Sequence, residues 1–388
     1  MINTANVWRF LVAFCDWRTH FRKIKKQPLV DAVFITNMRD EVDRRRYLGE
    51  WKPEEGHFDG PRYAINGVLG RTRIINTVTD DLASDHGKER AQQQFIAAIK
   101  WARDNGAKVI LLAAATKRLF GEHDDRLKKM FPDIIFTIGD NGTVLILLRE
   151  ISRAFKEAGL NTDNSRIGVL GPYGFLGELV TKDLRGKGYK VIGVGSNPSA
   201  LKRMAATYGI ETCRKFSEVG EIDAVVACTH SEKVRLNDLA IDLIRRKGKK
   251  LLVVDVAEPS NLIEEELKKR KKLVIRQDAG NAYSPNLKYI LGAISYRMLR
   301  LTRGVTFGCF AETLSITAAI ARGENVKDTD WFSINEENMK RVSTLFEKIN
   351  FTLPSPRCFS KKIKSFSLST EETMSAENIQ PSFNSLEW

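Results

Sequence analysis

The stretch Gly171-Pro172-Tyr173-Gly174-Phe175-Leu176-Gly177 constrains the chain more than any other segment. An apolar, strand-like run at Arg166–Leu170 leads into it, and it opens a helix running through Glu178–Leu184. A strand that turns through glycines into a helix lets the backbone approach a ligand closely. It also aims free N–H groups and the positive end of the helix dipole at that ligand, an arrangement suited to a pyrophosphate. A second strand-like run at Lys190–Val194 completes a β-α-β unit, the context in which glycine spacing of this kind becomes informative. That run ends Val194-Gly195-Ser196-Asn197-Pro198. A site selective for NADH commonly carries an acid there to hold the ribose hydroxyls. No acid is present. Ser196 and Asn197 offer hydrogen bonds to a phosphate, and Lys202 and Arg203 offer positive charge, so NADPH is the expected cofactor.

Around this motif the chain alternates strands and helices twice. Strand-like runs at Ala32–Thr36, Lys108–Ala114 and Asp133–Ile138, with helical segments at Gln92–Asn105 and Thr143–Ala158, form the first series. Strands at Arg166–Leu170, Lys190–Val194, Ala224–Cys228, Lys250–Val256 and Lys272–Arg276 form the second. Such alternation predicts mainly parallel sheets. The expected fold class is α/β: an N-terminal α/β substrate domain over 31–161 and a Rossmann-type NADP-binding domain over 162–300. C-terminal helices over 301–355 would return to the cleft, and a helix over 286–303 would stop at Gly304. A length of 388 residues suits two domains plus extensions.

Composition narrows the class further. No apolar run approaches the ~20 residues of a membrane span. The N-terminus lacks a basic stretch before a sufficiently long apolar core, so no signal peptide is expected. The five cysteines form no CxxC pair, which predicts reduced thiols in a cytoplasmic protein. The five histidines show no ligand spacing, and no metal is expected. The net charge of +14 should attract acidic partners at long range. With no zinc finger, RRM signature or interleaved aromatic and basic residues, nucleic acid is not an expected partner.

The ends read differently from the middle. Over residues 1–30, Val7, Phe10, Leu11, Phe14, Trp17 and Phe21 recur at helical spacing beside a basic cluster at Arg22–Lys26. That pattern fits an amphipathic helix that lies on an anionic membrane surface through residues 7–26, or one that packs on its own protein. Residues 356–388 are polar and rich in Ser, Glu, Asn and Lys, and a disordered tail is expected there.

The second informative segment is Phe307-Gly308-Cys309-Phe310-Ala311-Glu312-Thr313. A helix is expected to begin near Cys309, and its dipole would favour the reactive thiolate. The alternative is a buried cysteine that merely fills space. Asn141 and Thr143, in Gly139-Asp140-Asn141-Gly142-Thr143, lie just before a helix and are either oxyanion donors or an ordinary cap. Thr229 and Asp255 end strands of the second series, where loops touch the cofactor; Asp255 would contact the nicotinamide ribose or else cap the next turn. His230 is read as a loop residue, and Glu312, one turn beyond Cys309, as a group that orients neighbours while raising the thiol pKa.

The Phe307–Thr313 segment resembles the F-A-C-x-A-E segment of the cyanobacterial long-chain acyl-(acyl carrier protein) reductases, which form aldehydes. Phe34-Ile-Thr-Asn37 with the Asp40–Arg46 helix resembles that family's opening domain. Ile138–Thr143 resembles its T-G-N-x-x-T segment, Gly171–Gly177 its cofactor loop, and Asp255–Leu262 its D-G-G-x-P-x-N-L strand end. The likeness runs, with gaps, over roughly 31–355, although Glu258 and Ser260 stand where the family's Tyr and Lys flank the proline. The resemblance implies a distant member in which Cys309 attacks an acyl thioester carried by acyl carrier protein or coenzyme A. Hydride from NADPH then releases the aldehyde. Two other readings stand beside it: a shikimate-type or carbonyl dehydrogenase with no covalent step, and a non-catalytic NADP-binding sensor or scaffold.

Overall fold

The computed structural model describes residues 4–120 and 126–370. The chain forms two compact units. One takes the chain up to Leu145 and again from Asn281 to Pro354; the other takes Ile146–Gly280 and the segment from Ser355 onward. Two expected boundaries therefore shift. The first falls within the helix Asp140–Glu157 rather than near residue 161, and residues 281–300 join the first unit, not the second.

The second unit is built on six parallel strands in the order Val274–Asp278, Leu251–Asp255, Ala224–Ala227, Arg166–Leu170, Lys190–Val194, Glu211–Cys213. This is the Rossmann strand order. The central strands are almost wholly apolar because helices cover both faces of the sheet. Side chains alternate between the two layers. Val169, Val226, Leu252 and Val254 pack with Val180 and Leu184 of the helix Phe175–Gly186. Leu170, Val225, Leu251 and Val253 pack with Ile241 and Ile244 of the helix Asp238–Ile244.

Residues 356–370, expected to belong to a disordered tail, are part of this unit. Phe366 and Leu368 are buried in its core, and Lys250 N–H donates to the Leu368 carbonyl at 2.6 Å. Ile363 packs against the same core, so apolar side chains spaced along this Ser- and Lys-rich stretch dock it. The rest of that expected tail, 371–388, lies outside the described residues.

The first unit has a mixed six-stranded sheet in the order Lys288–Tyr289, His57–Ile65, Val68–Val78, Ala32–Met38, Val109–Leu112, Ile135–Thr137. The last four strands are parallel to one another, and the first two pairings are antiparallel. The long hairpin turns at Asn66 and Gly67, both with positive φ (46° and 85°), as a two-residue hairpin turn requires. The expected helix over 286–303 is replaced by the strand Lys288–Tyr289 and a shorter helix, Gly292–Met298. Tyr289 pairs with Tyr63 on the sheet edge, and Leu291 at φ 50° breaks the run between strand and helix.

The N-terminal extension is two helices, Thr4–Phe14 and Trp17–Ile24, rather than one. Asp16 separates them. It accepts from Thr19 to cap the second helix and pairs with Arg62 at 3.0 Å. Among the described residues no helix is long and apolar enough to cross a membrane.

Candidate active site

In the second unit, the loop Gly171–Gly177 lies where the strand order reverses. Its strand, Arg166–Leu170, pairs with Lys190–Val194 on one side and Ala224–Ala227 on the other. The glycines have separate duties. Gly171 has φ 72°, and a Cβ there would meet Thr229 Cβ at 2.7 Å. A Cβ on Gly177 would lie 2.0 Å from the Gly171 carbonyl oxygen, so only glycine lets the helix approach the loop. A Cβ on Gly174 would meet nothing nearer than the Gly171 oxygen at 3.4 Å. That side is open, and the helix Phe175–Gly186 begins at Gly174 with no side-chain cap. Phe175 is exposed and Leu176 half-buried at this start. An uncapped helix start beside an open glycine fits a dinucleotide pyrophosphate.

The residues expected to hold the 2′-phosphate are only partly available. Tyr173 lies against Gly195, and its hydroxyl accepts from the backbone N–H of Ser196 at 2.9 Å and of Asn197 at 3.1 Å. These bonds, with that to the Ser196 hydroxyl, bring the phenol below its ordinary pKa against the opposing effect of burial. The Asn197 side chain is an N-cap, accepting from Ala200 N–H at 3.2 Å, and Arg203 pairs with Glu178 at 3.5 Å. Ser196 and the exposed Lys202 remain the phosphate candidates. The charge of Lys233 acts on Tyr173 from 60 positions along the chain, and no local motif signals it.

Thr229 packs on Gly171, as a residue of the cofactor loop would, and His230 is exposed. Of the two roles open to Asp255, it takes the turn cap rather than a cofactor contact. It is buried, accepts from the N–H groups of Ala257, Asn261 and Leu262 at 3.1–3.3 Å, and pairs with Arg276 at 3.0 Å. Its carboxylate fixes the loop after its own strand.

In the first unit, Cys309 is the second residue of the helix Gly308–Ala321, which follows the short strand Val305–Phe307 and has no side-chain cap. A second helix start, that of Asp140–Glu157, is pressed against it. A Cβ on Gly139 would lie 2.3 Å from Cys309 Cβ, one on Gly142 2.6 Å from the Gly308 oxygen, and one on Gly308 2.7 Å from Thr143 Cα. The two helix starts thus touch backbone to backbone. Glu312 ties them together: its carboxylate accepts from Gly142 N–H at 2.6 Å and from the Thr137 hydroxyl at 2.5 Å. The Thr137 oxygen in turn accepts from Gly139 N–H at 2.9 Å. Burial pushes Glu312 up to about 7, with those two hydrogen bonds opposing.

The expectation of a resting thiolate is overturned. Desolvation pushes Cys309 up to about 11, Asp140 and Glu312 add to that, and Lys117 and the Phe310 N–H oppose it. Lys117, paired with Asp140, is a cation near the thiol that no sequence motif marks. The side-chain oxyanion roles are corrected as well. Asn141 is fully buried and its amide donates to the Ser333 carbonyl at 3.2 Å. The Thr143 hydroxyl donates to the Gly139 carbonyl at 3.1 Å. Both brace the turn, and the backbone N–H groups at the cysteine helix start are the donors left. Among the described residues, no cluster of His, Cys, Asp and Glu is arranged to hold a metal.

Residues 152–276, within the second unit, match the family model of shikimate / quinate 5-dehydrogenase. No curated protein matches the chain. Among solved structures it is similar to L-tryptophan dehydrogenase from Nostoc punctiforme, at 13% identity and TM-score 0.42, covering 82% of this chain and 80% of that one. D-lactate dehydrogenase from Salmonella is similar at 14% identity and TM-score 0.28, over 63% of this chain and 78% of that one. TarJ from S. aureus, solved in complex with NADPH, is similar at 17% identity and TM-score 0.27, over 35% of this chain and 42% of that one. The second unit is a nicotinamide-dinucleotide-binding domain of the dehydrogenase type, and the chain is an NAD(P)-dependent oxidoreductase.

Proposed function

We propose that this oxidoreductase is an NADPH-dependent reductase that converts an acyl thioester to an aldehyde through an acyl-enzyme on Cys309. The observation that carries the reading is the seat of that cysteine. It is the second residue of an uncapped helix and is pressed against a second helix start by Gly139, Gly142 and Gly308. Glycines at three such contacts hold a nucleophile beside backbone donors, the arrangement that stabilises an oxyanion. Ser196 and Lys202 support NADPH over NADH, with the pyrophosphate held at Gly174. The charge of +14 supports an acidic carrier, an acyl carrier protein or coenzyme A, as the donor of a fatty acyl group.

The covalent step balances without added reagents. Cys309 Sγ bonds to the thioester carbon, the carbon–sulfur bond to the carrier breaks, and the proton lost by Cys309 is the one the departing carrier thiolate needs. The first-turn N–H groups of the helix Gly308–Ala321 receive the oxyanion while both sulfurs are attached. Glu312 acts by position, fixing the two helix starts rather than touching the acyl group. The chemistry supplied by bound NADPH is one hydride, which with one proton releases the acyl group as aldehyde and restores the Cys309 thiol.

The family match over 152–276 favours a second reading, a shikimate-type or carbonyl dehydrogenase acting without a covalent step. A panel of acyl thioesters with NADPH, read by mass spectrometry for aldehyde and for acylated protein, tests the choice. Aldehyde together with an acyl adduct supports thioester reduction. Cofactor oxidation with a small carbonyl compound, and no adduct on any thioester, supports the second.

A further inference from the structure

The first N-terminal helix buries one face and leaves the other uncovered, and the second buries no residue of its own. Ala5, Trp8 and Val12 turn into the first unit. On the opposite side, Val7, Phe10, Leu11 and Phe14 are 40–69% exposed, and the second helix continues the face with Trp17, Phe21 and Ile24 at 61–78%. Among the described residues fourteen large hydrophobic side chains are exposed, and seven of them lie between Val7 and Ile24. They form a continuous stripe across the break between helices: Phe10 and Phe14 rings are 6.4 Å apart, and so are Phe14 and Trp17. Exposed apolar surface concentrated in this way marks an interaction site.

Its flanks decide the partner. Residues 4–26 hold six basic side chains and one acid, Asp16. Asp16 is buried against Arg62, Arg9 is turned inward over Trp51, and Arg22 is held by Asp31 at 2.8 Å. The charges left beside the stripe, on Arg18, Lys23, Lys25 and Lys26, are exposed and all positive. A second copy of the same face would bring like charges together. An anionic bilayer satisfies both features: aromatic side chains enter the headgroup boundary and lysines meet lipid phosphates. We propose that the Val7–Ile24 stripe seats the protein on an anionic membrane surface. This inference does not rest on the reduction chemistry.

The test is co-sedimentation of the full chain with phosphatidylcholine vesicles, with and without about one-third phosphatidylglycerol. Truncation is unsuitable, because Trp8 and Asp16 are built into the first unit. Phe14→Glu and Trp17→Glu alter exposed positions, and unchanged thermal melts confirm that the fold survives. The wild type is expected to partition at least tenfold better onto the anionic vesicles, and each substitution to cut that by tenfold or more. Replacing Lys23, Lys25 and Lys26 together with Ala should cost on the order of a hundredfold on anionic vesicles. Absence of wild-type partitioning, or equal partitioning by the Glu variants, overturns the proposal. A dimer, or a complex with an acidic carrier protein, that the Glu substitutions dissolve while lipid binding is nil assigns the stripe to that partner and overturns it as well.

Discussion

At Cys309 two local effects compete. A helix N-terminus favours a thiolate by typically 0.3–1 kcal/mol, which moves a thiol by less than one pKa unit. Burial acts the other way and prevails, taking Cys309 up to about 11. The resting thiol is therefore protonated near neutral pH. Its alkylation by iodoacetamide should accelerate about tenfold per pH unit between pH 7 and 10. A rate already flat at pH 7, followed by peptide mass mapping, would contradict this balance. His57 makes a second case. Burial and the neighbouring Arg73 lower it to about 4, against about 6.5 in an unfolded chain. As pH falls from 6.5 towards 4, the unfolded chain takes up a proton that the fold refuses, so stability drops across that window, by roughly 3 kcal/mol at most, and no further below it. Urea titrations of wild type and His57→Gln should diverge in slope there. Parallel curves would mean that His57 is protonated in the fold.

Between elements, glycine is what separates structure from function. Gly139→Ala drives a Cβ to 2.3 Å from Cys309 Cβ at φ 71°. Overpacking and a left-handed backbone together should cost roughly 2–4 kcal/mol, seen as a lower urea midpoint. Gly174→Ala meets nothing closer than 3.4 Å. It should melt like the wild type yet bind NADPH at least tenfold more weakly in calorimetry; unchanged affinity would remove the pyrophosphate from that loop. The elements themselves were unevenly legible. The Rossmann strands are readable because, buried on both faces, they are unbroken runs of Val, Ile and Leu such as Leu251–Val254. The hairpin His57–Val78 escapes the same reading. Arg62, Arg71 and Arg73 sit inside it, buried on Asp59 and Asp16, and interrupt the apolar alternation. The helix expected over 286–303 failed because edge pairing of Lys288 and Tyr289 overrides local helical spacing.

For the whole molecule, the two-series layout and the glycine loop were legible, while the unit boundaries were not. The chain leaves the first unit within one helix and re-enters it at Asn281, and no change of composition marks either crossing. The candidate site was legible in part. Glycine spacing, the Cys309 segment and the short-range bonds of Thr143 and Asp255 stand in the sequence, but Lys117, Lys233 and the bond from Asn141 to Ser333 depend on contacts between distant positions. Whether this oxidoreductase works through a covalent acyl group on Cys309 is decided by intact-mass measurement of the wild type and Cys309→Ser. Each is incubated with an acyl thioester, first without cofactor and then with NADPH. An acyl mass and aldehyde are expected from the wild type, and neither from Cys309→Ser, with NADPH binding and melting unchanged. A wild type that never carries an acyl mass, or a Cys309→Ser protein that makes aldehyde at the normal rate, would rule out the covalent route.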